Sequence, residues 1–364
     1  MPIRRHVLGA LACGALAPAL PACSSSSGEQ QAARALRRPA GVGLTDRDLR
    51  MRELVRCATL APSSHNTQCW RFHLEKRSIT IAPDLSRRCP VVDPDDHHVF
   101  VSLGCATENL VHAALAQGLR ADARFDPSGA GAIAVSLDPT RASTTPLFDA
   151  IAERQCTRGD YDGKPLSSEE LRLLEQAGTG RGVNVLMLTQ RPELERVLDY
   201  VLAANTVQLN DRAFIAELKT WIRFDADEAL RSADGLFTAT TGNPALPRWL
   251  GGRLMDWAVT PSSENERCAR QMRSSAGVAV FVSDVDDKAH WAEAGRCYER
   301  FALQATALGI RNAMLNQPAE VAAIRAQFAP AFGLGARRPD LVVRFGRGPA
   351  RPWSMRRPVG DVLA

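Results

Sequence analysis

The sequence predicts an α+β fold made of two copies of one unit fused in a single chain, with a helical, lid-like insertion in the second copy. Three observations predict it. Sliding the chain by 191 residues sets Gly104, Glu108, Ala114, Ala116, Gly118 and Arg120 on Gly295, Glu299, Ala305, Ala307, Gly309 and Arg311. The helices that carry these residues have strands in matching places: Ile79–Ala82 precedes the first, and Gly277–Ser283 precedes the second. Only the second half holds a long, mostly helical stretch, from about 192 to 275. Chance likeness between two Ala-rich helices is the competing account, and the shared strand order argues against it. Tandem copies of a dimer-forming unit pack as an internal pseudo-dimer, so the chain is expected to act as a monomer with pseudo-dimeric architecture.

Composition agrees. The chain has 364 residues, 45% hydrophobic and 23% charged, which excludes disordered, collagenous and coiled-coil classes. The length fits about two domains. The expected division is an export signal at 1–27, a Gly/Arg/Ala linker at 28–43, a first unit at 44–145 and a second at 146–364. Lys+Arg exceeds Asp+Glu only slightly, 45 against 40, and the arginines are scattered. No basic block with interleaved aromatics is present, so nucleic acid is not an expected partner. No apolar run after residue 30 approaches the ~20 residues a membrane-spanning helix needs.

Taken in order, residues 1–27 place Arg4-Arg5 before an apolar stretch from Val7 to Leu20, then Leu20-Pro21-Ala22-Cys23 before serines. This layout is similar to a twin-arginine signal ending in a lipobox. It implies export to the periplasm or cell envelope, with a lipid anchor at Cys23 as the sole membrane attachment. An ordinary secretory signal cut near Ala22 is the alternative. Thr45 reads as the N-cap of a helix through about Ala58, broken by Ala61-Pro62-Ser63-Ser64. Trp70–Glu75 and Ser78–Ala82 alternate as a hairpin, residues 84–96 form a polar loop, and Val99–Leu119 has helical periodicity ending near Gly118. Strands follow at Ala132–Leu137 and Val183–Leu188, a helix opens at Ser167, and a last strand spans Asp340–Phe345. The centre of the insertion, with Trp249 and Trp257, reads as a flap over a site or as a packing elaboration. Core packing is expected of both tryptophans. Of nine cysteines, seven lie beyond the signal and none forms C-x-x-C; Cys57, Cys105, Cys268 and Cys297 sit in helical text as small buried groups.

The segment richest in chemistry is Ala61-Pro-Ser-Ser-His-Asn-Thr-Gln-Cys-Trp-Arg-Phe72. Its hydroxyls, free backbone N–H groups and the amides of Asn66 and Gln68 suit a heterocycle edge with alternating donors and acceptors. This segment resembles the A-P-S-x-x-N-x-Q-P-W-x-F motif of the FMN-dependent nitroreductase family, with Cys69 in place of Pro. With His65 before Asn66, the chain resembles the fused, double-domain Acg-like branch of that family from about residue 45 onward. The resemblance implies FMN as cofactor and Pro62, Ser63, Ser64, Asn66 and Gln68 as its ring-side ligands. A second element, Arg154-Gln-Cys-Thr157-Arg158, is similar to the family's phosphate clamp, and forked guanidiniums suit a dianion. A third, Met355-Arg356-Arg357-Pro358, resembles the tail that closes the phosphate site. A fourth, Asn316-Gln317-Pro318, falls where the family passes the flavin N5 edge, although Glu-Gly or Gly-Gly is usual there.

These elements are unevenly shared. The first half has the Pro-Ser-Ser bend and lacks the arginine clamp; the second half has Arg154, Thr157, Arg158, Asn316, Gln317, Arg356 and Arg357 and lacks the bend. Family dimers build each FMN site from both subunits, so the resemblance implies one FMN per chain. It further implies NAD(P)H and a small nitroaromatic or quinone-type acceptor as partners. No catalytic side chain is required, because the flavin carries the electrons. The alternatives are a protein that stores FMN beneath a lid and a module that has lost the flavin. The run Asp93-Pro-Asp-Asp-His97-His98 reads as solvated or packed, so no metal is expected.

Overall fold

The computed structural model describes residues 26–364. The expected signal elements Arg4, Arg5 and Cys23 lie outside them. The first half runs α1 (Ser26–Leu36), α2 (Arg47–Thr59), β1 (Trp70–Leu74), β2 (Ser78–Pro83), α3 (His97–Ala116), β3 (Leu119–Asp126) and β4 (Ala132–Pro139). The second begins with α4 (Pro146–Glu153), α5 (Ser168–Gly178) and β5 (Val183–Leu188). A long connection follows, holding α6 (Arg191–Asn210), α7 (Arg212–Trp221), β6 (Ile222–Arg223), α8 (Ala226–Ser232), β7 (Leu236–Phe237), α9 (Arg248–Ala258) and α10 (Pro261–Arg273). Then come β8 (Gly277–Ser283), α11 (Lys288–Ala307), β9 (Arg311–Met314), α12 (Gln317–Glu320), α13 (Ala322–Ala331), β10 (Pro339–Gly346) and α14 (Val359–Val362).

Two four-stranded antiparallel sheets have one topology: β1-β2-β4-β3 in the first half and β5-β8-β10-β9 in the second. β1 and β2 are joined by a tight turn, whereas β5 and β8 are separated by the whole stretch from α6 to α10. β8 is buried along its full length, which explains its apolar text from Gly277 to Val282. β10 is equally buried yet carries Asp340 and Arg344, whose polar atoms are met by Ser283 and by the carbonyls of Gln271 and Gly159. The long helices α3 and α11 cross at their glycines. A Cβ on Gly104 would lie 1.9 Å from the Ala292 carbonyl oxygen, and one on Gly295 would lie 1.9 Å from that of Val101. Val101 and Ala292 stand at the same offset as the two glycines, so the contact is reciprocal, as in a self-complementary interface. Gly295→Ala is therefore expected to cost about 1–3 kcal/mol by overpacking, read as a lower urea midpoint with unchanged slope. An unaltered midpoint would contradict this crossing.

Local chemistry sets the element ends. Asp46, not Thr45, caps α2 by accepting from the Leu49 N–H at 2.8 Å. Ser167 and Glu170 form a capping box on α5. Gly118 and Gly309 follow the long helices with φ of +72° and +70°, a left-handed turn that glycine adopts without a Cβ penalty.

Several expectations need correcting. Residues 26–36, most of them placed in a linker, form α1; its Ala33 packs with Ala226, Ala229, Phe237 and Met355. β3 escaped notice because its inward positions, Leu119, Ala121, Ala123 and Phe125, include two alanines that dilute the alternation. α3 is long and apolar enough by composition to cross a membrane, but it lies inside the fold, mostly buried. Trp249 and Trp257 project outward from α9, 68% and 81% exposed, instead of packing in the core. Cys57, Cys105, Cys268 and Cys297, by contrast, are buried in helices as expected.

Candidate functional site

A cavity of about 660 Å³ is lined by both halves and by the insertion. The first half contributes Pro62, Ser63, Ser64 and His65, and His98, Ser102 and Cys105 from α3. The second contributes Cys156, Arg158, Met314, Asn316, Gln317 and Glu320. The insertion adds an apolar wall that includes Leu209, Phe214, Leu218, Ile222, Phe224 and Leu236.

The bend after α2 is the most constrained part of this lining. His65, Asn66 and Gln68 all take left-handed φ values, +48°, +54° and +53°. Such residues persist where their surroundings over-determine them. Here the Ser63 Oγ accepts the Gln68 N–H at 2.8 Å. The Arg356 guanidinium donates to the carbonyls of Thr59 (2.8 Å), Leu60 and Ala61 (each 3.2 Å), and to Asn66 Oδ1 (2.9 Å). It thereby serves the orphan carbonyls at the C-terminal end of α2, where positive charge is favoured. Asn66 Nδ2 donates to Gly235 O at 2.9 Å, and Gln68 Nε2 to Ala233 O at 2.9 Å. Gln68 Oε1 accepts the Arg357 N–H at 2.8 Å, and Arg357 Nη2 donates to Asp361 O at 2.6 Å.

The twelve residues expected to hold the cofactor therefore separate into two sets. Pro62, Ser63, Ser64, Arg158, Asn316 and Gln317 meet at the cavity. Asn66, Gln68, Arg154, Thr157, Arg356 and Arg357 are not among its lining residues. Asn66, Gln68 and Arg356 brace the bend from behind, because groups distant in sequence occupy their polar atoms, and the Arg357 N–H serves Gln68. Arg154 is fully buried, with Nε 3.0 Å from Glu299 Oε1 and Nη2 donating to Leu60 O at 2.8 Å. Thr157 is buried one residue away from the lining; its N–H donates to Asn312 O at 2.8 Å and its carbonyl accepts from the Tyr161 hydroxyl at 3.0 Å.

Arg158 differs from Arg154. Among the described residues it has no ion-pair or hydrogen-bond partner, and it lines the cavity half-buried. Gln317 Oε1 is likewise buried without a hydrogen-bond partner among the described residues. Asn316 Oδ1 accepts the Val342 N–H at 3.0 Å, which fixes the loop that opens α12. Burial, with Arg158 close by, pushes His65 down to about 4, so its ring is neutral at physiological pH. The sequence reading missed His65, His98, Ser102, Cys105, Cys156 and Glu320 as lining residues. Tertiary packing gathers them, and no spacing pattern records that.

Burial raises the Glu320 carboxyl to about 7, although Gln208 Nε2 donates to it at 2.7 Å. A carboxyl raised above its ordinary value near 4.5 favours the fold most below that value, and the advantage is lost as pH rises through about 7. Glu320→Gln keeps an oxygen for Gln208 and removes the charge. The variant is expected to lose less stability than the parent between pH 5 and 8, compared by urea midpoints at both values. An equal loss in both proteins would contradict the assignment.

The insertion reaches back onto the first half. Glu217 accepts the N–H groups of Val91 and Val92 at 2.8 and 3.0 Å. Asp234 pairs with Arg223 at 2.6 Å and also with Arg87.

No protein-family model matches the chain. "Putative NAD(P)H nitroreductase Rv3131" of Mycobacterium tuberculosis is 27% identical over 309 residues, covering 82% of this chain and 85% of that protein. "Putative NAD(P)H nitroreductase acg" of the same organism is 25% identical over 327 residues, covering 86% of this chain and 95% of that one. The chain is similar to named nitroreductases over most of its length. Among solved structures, a nitroreductase with bound FMN from Desulfitobacterium hafniense overlaps 61% of this chain and 98% of its own, at 17% identity and a TM-score of 0.39. The FMN-dependent nitroreductase NfnB of Mycobacterium smegmatis, in complex with NADPH, overlaps 55% and 86%, at 13% identity and a TM-score of 0.36.

Proposed function

We propose that this protein is an FMN-dependent oxidoreductase of the nitroreductase type, binding one FMN per chain and passing electrons from NAD(P)H to a nitroaromatic or quinone-type acceptor. One observation carries the reading: one cavity joins the Pro62-Ser63-Ser64 bend of the first half to Arg158, which has no partner among the described residues, and to Asn316-Gln317 of the second. The donor set fits the cofactor. Arg158 offers forked, permanently charged donors to a phosphate. The Ser63 and Ser64 hydroxyls and Gln317 Oε1, which has no hydrogen-bond partner among the described residues, suit the polar edge of an isoalloxazine. When bound, FMN supplies hydride transfer between nicotinamide and acceptor. The chain binds, orients and shields: Arg356, Asn66 and Gln68 hold the bend rigid, and the apolar wall from the insertion excludes water and receives the acceptor's ring. No side chain is assigned a proton-transfer step.

The reading treats the two halves as a fused pseudo-dimer of nitroreductase-like units, with the insertion as a lid-like cover. The shared strand order and the reciprocal glycine contact support this. It also includes export, because the Arg4-Arg5 signal and the Cys23 lipobox suit a protein folded around its cofactor before translocation. Anaerobic mixing with NADPH tests the activity. The flavin's visible absorbance is expected to bleach, then return on adding a quinone or nitroaromatic. Colour that survives NADPH and NADH yet yields to dithionite would contradict turnover.

A further inference from the structure

A second site stands beside the cavity, at the N-terminal end of α3. Asp93, His97 and His98 are 3%, 1% and 4% exposed, and one ligand atom from each lies within 4.8 Å of the others. Their polar atoms are incompletely used. Asp93 Oδ2 accepts the N–H groups of His98 (2.9 Å) and Val99 (3.3 Å), which fixes the carboxylate and leaves Oδ1 over. Oδ1 lies 3.7 Å from His98 Nδ1, beyond hydrogen-bond reach. His97 Nδ1 and His98 Nδ1 are both buried without a hydrogen-bond partner among the described residues. A native interior leaves few such atoms unmatched, and each one calls for an explanation.

The other nitrogen of His97 supplies a second observation. Its Nε2 lies 2.9 Å from Asp340 Oδ1, and Asp340 Oδ2 accepts from the N–H (2.7 Å) and Oγ (2.8 Å) of Ser283. A histidine that ligates a metal characteristically gives its remaining N–H to a carboxylate held in this way, which fixes the tautomer and the ring. In His97 that leaves Nδ1 with the free lone pair. His98 Nε2 lies 3.5 Å from Asn316 Nδ2. Arg338, whose charge acts on His97, is engaged by Asp95 (2.5 Å) and Asp286 (3.4 Å).

We propose that Asp93, His97 and His98 form a binding site for a divalent first-row cation of the zinc class, with Asp340 as the positioning residue for His97. Two imidazoles and one carboxylate suit zinc-class ions better than calcium or magnesium, which take oxygen sets. Metal–ligand bonds of about 2.0–2.2 Å put tetrahedral ligand atoms about 3.4 Å apart, so the 3.7 Å gap closes with a small side-chain adjustment. His98 also lines the cavity, which supplies the entry path that a buried ion needs. The site does not depend on the flavin reading.

The full chain is stripped with a chelator, dialysed against Zn²⁺ and assayed for retained metal; Co²⁺ is titrated separately as a visible-absorbance probe. Expected are one retained Zn²⁺ per chain and an intense low-symmetry Co²⁺ spectrum. Asp93→Asn and His98→Gln are each expected to weaken binding at least tenfold, and Asp340→Asn about 10- to 100-fold. His73→Gln, at an exposed position, is expected to change nothing. Wild-type chain that retains no stoichiometric Zn²⁺ overturns the proposal, whether or not the variants fold. Retention that is the same in Asp93→Asn and His98→Gln as in wild type overturns it as well, because the metal would then be held elsewhere.

Discussion

Arg154→Met is expected to lower the stability of the fold by about 3–5 kcal/mol, the loss typical when one partner of a buried ion pair is removed. Arg154 connects the halves: it pairs with Glu299 on α11 at 3.0 Å and donates to Leu60 O beyond α2. Burial already raises the Glu299 carboxyl to about 7, with Arg154 opposing the rise. Without Arg154 the carboxyl rises further. The penalty is therefore greatest at alkaline pH, where the carboxylate must be buried charged, and shrinks as pH falls and the group protonates. A second substitution, Glu299→Met, is expected to recover much of the loss, since an apolar replacement of a whole buried pair is often close to neutral. Urea midpoints at pH 6 and 8 for both variants check this. A single variant as stable as the parent at pH 8 would return Arg154 to the list of candidate phosphate ligands.

Arg158→Ala is expected to show the opposite pattern. Its guanidinium faces the cavity without a partner among the described residues, so its removal leaves the folding midpoint within about 0.5 kcal/mol of the parent. A lost charge-assisted contact of roughly 1.5–3 kcal/mol raises the FMN dissociation constant about 10- to 150-fold. Riboflavin, which lacks the phosphate, is expected to bind parent and variant alike. Equal weakening for both flavins would place Arg158 at the ring and not at the phosphate; unchanged FMN affinity would remove it from the site.

The contrast between these two arginines marks how far the sequence was legible. Arg154 and Arg158 lie four residues apart in one motif, and nothing in their spacing says that the first turns into the core to meet Glu299 while the second faces the cavity. The matching glycines of the two long helices were legible, because their close packing forbids a Cβ at Gly104 and Gly295, which stand at one offset. β8 is legible because burial on both faces demands continuous apolar text, and β10 because Leu341-Val342-Val343 and Phe345 keep the strand pattern around the buried Asp340 and Arg344. Asn66, Gln68 and Arg356 were legible as a polar set, but their partners lie up to about 300 residues away. Polar type alone does not separate a group that touches a ligand from one that braces the group that does. In the sequence His97 and His98 stand beside Asp93 in a run that suits packing or solvation equally; only the fold brings Asp340 to them.

A stoichiometric flavin titration of the folded chain bears most directly on a site shared by unequal halves. Fluorescence quenching is followed to saturation, and the released flavin is counted against protein. The account predicts one equivalent of FMN per chain, with riboflavin bound at least tenfold more weakly because Arg158 has no phosphate to engage. Two equivalents, none, or equal affinity for FMN and riboflavin would contradict it.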